Sequence, residues 1–72
     1  MAHSALFTTP EGSLSIEKHA EHVYRLASQV GVEGFVERVG SGFIALRGAI
    51  YDRAVTVGES ADFDGAAAKL YR

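Results

Sequence analysis

The apolar residues of this 72-residue chain change period at Gly31, and that change limits the fold more than any other feature. Plotted at about 100° per residue from Ile16, the side chains of Ala20, Val23, Tyr24, Leu26, Ala27 and Val30 gather within about 80° of the start. Glu17, Lys18, Glu21, His22, Arg25, Ser28 and Gln29 fall on the opposite arc. Such a stripe predicts an amphipathic helix. Ser15 is placed to cap it, Gly31 to end it, and Glu21 and Arg25 to pair one turn apart. Beyond Gly31 the apolar residues recur every second position, which predicts strands.

The strands are divided by turn residues. Val32 to Val39 is followed by Gly40-Ser41-Gly42, and Phe43 to Tyr51 alternates before Asp52 opens another turn. Arg53 to Glu59 makes a third strand, so the spacing reads as an antiparallel meander. From Ala61 the helical period returns, with Phe63, Ala66, Ala67 and Leu70 on one stripe. Asp62 and Asp64 lie at its start and Lys69 and Arg72 at its end, as the helix dipole favours. Gly65 weakens its first turn. Upstream, Ala5 to Thr8 is a short strand ahead of the Pro10 turn.

One domain over 1–72 is therefore expected, of the α+β class. Its parts are an arm or short strand over 1–13, a helix over 15–31, a meander over 32–59 and a helix over 61–72. The expected order is (β)-α-β-β-β-α: a small two-layer domain, with two helices on one face of a three- or four-stranded antiparallel sheet. Ile44, Leu46, Ile50, Val55 and Val57 would face the helices. Phe43, Ala45, Arg47, Ala49 and Tyr51 would face outward.

Composition narrows the function. Seven Lys and Arg against nine Asp and Glu leave a charge of −2, which disfavours a general phosphate-backbone binder. With no cysteine there is neither a disulfide framework nor a thiolate metal site, and a cytoplasmic setting is expected. No run of about 18 apolar residues calls for a membrane span, and the first residues lack the pattern of a signal peptide.

Chemistry-bearing clusters are few. His19 and His22, three apart on the expected helix, are a weak metal pair without a third ligand. Gly40-Ser41-Gly42 sits between strands and is a hairpin turn rather than a nucleophile elbow. Neither a catalytic set nor a cofactor is expected.

Two local patterns touch nucleic acid. Gly40-Ser41-Gly42-Phe43-Ile44-Ala45-Leu46 resembles part of the central strand motif of RNA-recognition-motif domains. Val39 stands where that motif has a basic residue, and Ser41 where it has its first stacking aromatic. The helix-strand-strand-strand-helix order is similar to that of double-stranded-RNA-binding domains, whose closing helix begins with lysines; here Asp62 and Asp64 stand there. An RNA- or DNA-binding alternative would rest on Arg38, Arg47 and Arg53.

The outward face carries the main expectation. Phe43, Ala45, Arg47, Ala49, Tyr51 and the neighbouring Arg53 combine residues enriched at interface cores with little charge. They point to a non-catalytic protein-binding module, a small adaptor or inhibitor, whose partner is another protein. A second copy of the chain, in a homo-oligomeric accessory subunit, is the alternative. Phage and mobile-element accessory proteins, anti-CRISPR-type inhibitors among them, share this size class. The analogy is one of size alone.

Overall fold

The structure, a computed structural model, describes the backbone of residues 4–9 and 12–71 and the side chains of residues 15–70. It is mostly β. Six strands follow one another: β1 (Ser4–Thr9), β2 (Gly12–Ala20), β3 (Val23–Ser28), β4 (Gly31–Val39), β5 (Gly42–Arg47) and β6 (Val55–Ser60). They form one antiparallel sheet whose spatial order is the chain order, so every connection is a hairpin or short loop. One short helix, α1 (Phe63–Ala68), follows β6, and 3-10 turns occupy Tyr51–Arg53 and Lys69–Tyr71. Pro10 and the Glu11 beside it lie outside the described residues.

The expected helix over 15–31 is instead the β2–β3 hairpin, turned at Glu21 and His22. The α+β arrangement with two helices on one face is thereby overturned. The reason lies in how the sheet is covered. Each face carries a buried apolar cluster, so a strand carries apolar side chains at adjacent positions. On β3, Tyr24 and Leu26 enter one core while Val23 enters the other. Two strands of that kind, broken by a polar turn, project onto a helical wheel as one broad stripe. Ile16, Val23 and Tyr24 are β-branched or aromatic, types that favour a pleated surface over a helix. Ile16 lies opposite Leu26, and Lys18 opposite Tyr24. Arg25 pairs with Glu17, its ladder partner, rather than with Glu21.

The segment from Gly31 to Ser60 is an antiparallel meander, but β5 stops at Arg47 rather than Tyr51, a 3-10 turn occupies Tyr51–Arg53, and the faces are exchanged. Helix α1 packs against β4, β5 and β6 on the side of Phe43 and Ala45, and Ala45 is fully buried with Val36, Ala66, Ala67 and Leu70. Ile44 and Leu46 join Phe35 and Val23 on the opposite side. Ile50, Val55 and Val57, expected inside, are exposed. Strand alternation separates two sets of side chains but does not say which set meets the helix. Size decides it. The strip beneath α1 is built from small residues, and a Cβ on Gly34 would meet the Leu46 carbonyl and approach Leu70 Cδ2 to 2.9 Å. The larger Phe35 and Leu46 go to the other face, covered by the 3-10 turn that folds Tyr51 and Ala54 back over them.

The last segment begins as expected. Asp62 caps α1, accepting a hydrogen bond from the Gly65 amide at 2.7 Å. Gly65 is a weak helix former, and a Cβ there would force the Ser60 hydroxyl to turn away. Among the described residues no helix is long and apolar enough to cross a membrane.

Candidate functional site

At the end of the sheet carrying the β2–β3 turn, the α1 face opens into a cleft of about 550 Å³. Ladder register explains its layout. Lys18 and Tyr24 face each other across β2 and β3, and Arg38 and Phe43 across β4 and β5. The Arg38 amide donates to the His22 carbonyl at 2.8 Å and so joins the β2–β3 turn to the end of β4. Phe63, at the start of α1, stands over the two strand aromatics. Its ring centroid lies 5.6 Å from that of Tyr24 and 5.9 Å from that of Phe43, both edge-to-face.

The floor is thus Ile16, Tyr24, Phe43 and Phe63, all half-buried, and the rim is Lys18, Glu21, His22 and Arg38, all exposed. Glu21 Oε2 lies 3.8 Å from His22 Nε2, and both side chains are exposed. Apolar ring surface beside two cations can bury a flat or branched apolar group and meet an anion at its edge.

A second aromatic group lies on the opposite face. His19 is the extra residue of a bulge in β2, and its ring rests 5.2 Å from Phe35 and 5.7 Å from Tyr51. The Tyr51 hydroxyl donates to Glu37 Oε1 at 2.6 Å. That carboxylate acceptor, then desolvation, holds the Tyr51 phenol above its ordinary value near 10. The contact fastens the β5–β6 connection over Phe35.

The residues expected to form one association face are dispersed. Ala45 is sealed beneath α1, Phe43 is half-buried against Phe63, and Arg47 donates to the Lys69 carbonyl at 3.2 Å. Ala49 is exposed after β5, while Tyr51 and Arg53 belong to the 3-10 turn of the other face. Nor are Arg38, Arg47 and Arg53 brought together. Arg47 lies two same-face positions below Arg38's ladder row, about 13 Å along the strands, and Arg53 is on the 3-10 turn. His19 and His22 part company because the segment is strand and turn. One packs on Phe35 while the other lines the cleft. Among the described residues no three His, Cys, Asp or Glu side chains gather as a metal site.

Of the cleft residues, the sequence singles out Phe43 and Arg38 as interface or nucleic-acid candidates, His22 as a weak metal ligand and Glu21 only as a helical partner of Arg25. Lys18 and Glu21 read as the solvated arc of a helix, and Tyr24 and Phe63 as core. Pairing Lys18 with Tyr24 across a hairpin is the signal that would have found the site. Comparison with protein-family models, with the curated proteins and with solved structures finds no match.

Proposed function

We propose that this chain is a non-catalytic protein-binding module, a small adaptor or inhibitor, that seats part of its partner in the cleft over Tyr24, Phe43 and Phe63. The observation that carries this reading is the half-buried aromatic trio left open beside Lys18 and Arg38. Aromatic and arginine residues in a partly desolvated depression are the residue types that dominate binding energy at protein interfaces. The compartment on this reading is the cytoplasm, with which the lack of cysteine is compatible.

The test is co-purification from the native cell. Wild type retains a stoichiometric partner, and the Lys18→Glu, Arg38→Glu double variant loses it while melting at an unchanged temperature. A partner kept by that variant would place the interface elsewhere.

Self-association is the second reading, and β6 favours it. Val55 and Val57 are 65% and 41% exposed on an edge strand. Against it, Val57 is the extra residue of a bulge, and edge bulges impede regular strand addition. Light scattering decides between a monomer and a dimer that dissociates on Val55→Lys substitution.

A further inference from the structure

We infer that the cleft selects an acidic peptide segment presenting one aromatic or branched apolar side chain, an inference that rests on the docking reading above. The floor supplies ring surface for that one anchor in an open cleft of about 550 Å³. The charge at its edge selects what flanks the anchor. Lys18 and Arg38 against Glu21 leave the described rim at +1 with His22 neutral, on a chain whose net charge is −2. The positive charge is therefore local, and each cation stands beside an aromatic: Lys18 next to Tyr24, Arg38 next to Phe43. Carboxylates flanking a bound anchor would meet these two groups at the rim.

A nucleic-acid strand fits less well. It needs phosphate neutralisation along its length, and the next arginines lie away from the rim. Arg47 donates to the Lys69 carbonyl lower on the sheet, and Arg53 lies on the 3-10 turn of the opposite face.

The experiment is a titration of the ¹⁵N-labelled full chain with four probes. Three are heptapeptides: a central Phe flanked by Asp and Glu, the same Phe flanked by Lys, and a central Ala flanked by Asp and Glu. The fourth is a single-stranded oligothymidylate. The acid-flanked Phe peptide is expected to move the Lys18, Tyr24, Arg38 and Phe43 amides saturably and to bind about tenfold tighter than its Lys-flanked counterpart. The Ala peptide should bind more weakly than the acid-flanked Phe peptide, and Lys18→Glu with Arg38→Glu should invert the charge preference. Equal binding of the acid- and Lys-flanked Phe peptides at the cleft would overturn the charge selection and leave the docking reading standing. Cleft shifts with oligothymidylate alone, weakening steeply with salt, would overturn both. Failure of all four probes to move the cleft amides would overturn the inference, while partner loss in the double variant would still uphold docking.

Discussion

The hydroxyl of Tyr51 reaches Glu37 across 2.6 Å, tying a loop outside the sheet to the middle strand ladder. Because the phenol is held in its neutral form by that acceptor, its folded pKa is above the unfolded one. The stabilisation is fully present below about pH 10 and is lost as pH climbs through the raised folded value. Tyr51→Phe is expected to cost about 1 kcal/mol at neutral pH and to remove that alkaline decline. Urea unfolding across pH 7 to 11 measures both.

Gly34→Ala should be among the most damaging single substitutions. The added methyl meets the Leu46 carbonyl, a backbone atom of the paired strand, and crowds Leu70 at the same time. Neither can retreat without opening the sheet or lifting the C-terminal turn, so a loss of about 2–3 kcal/mol is expected in chemical denaturation. The same change at Gly40, in the β4–β5 turn, meets nothing within 4 Å and costs only the strain of its φ of 57°.

Ala45→Asp tests the assignment of faces. Ala45 is fully buried between Val36 and α1, where a carboxylate has neither water nor a partner. The variant is expected to be unfolded by circular dichroism at room temperature. Were Ala45 on an open face, the same change would be nearly silent.

Arg25 and Glu17 face each other across β2 and β3, and both are under half exposed. A double-mutant cycle on this pair should return a coupling of about 0.2–1 kcal/mol that shrinks as salt is added. The corresponding cycle between Arg25 and Glu21 should return none. The reverse result would mean that the segment is helical.

Phe63→Ala should separate the cleft from the core. The ring is only partly buried, so the expected loss is smaller than the roughly 3–5 kcal/mol of a fully enclosed phenylalanine. Binding of the acid-flanked peptide should nevertheless fall, because the ring supplies part of the cleft floor with Tyr24 and Phe43. Calorimetry on a variant shown to be folded reads the two effects separately.

Much of the chain's punctuation was legible before folding. The expected turn at Gly40-Ser41-Gly42 is a two-residue hairpin at Gly40-Ser41, the 32–59 region is an antiparallel meander, and Asp62 begins the closing helix. These features are local: a left-handed glycine, alternation along one strand, a side chain bonding an amide three residues on. Each is decided by atoms within a few residues of one another.

The rest required long-range partners. Whether Ile16 to Val30 coils or pairs depends on Ser4–Thr9 and Gly31–Val39 arriving on either side, and a wheel drawn on one segment contains neither. With an apolar cluster on each sheet face, apolar residues fall at adjacent positions, and the period that tells helix from strand is blurred. The same holds for the face that α1 covers, which was set by the small Gly34, Ala45 and Gly58 strip assembled from three different strands. The cleft follows from that choice. Lys18, Tyr24, Arg38, Phe43 and Phe63 span forty-six positions of sequence, and only the ladder brings them to one rim and floor. What the sequence by itself determined was where the chain turns and which residues need burial. Which of them bury one another was decided by tertiary pairing, because side-chain contact between strands depends on register, and register belongs to no single strand.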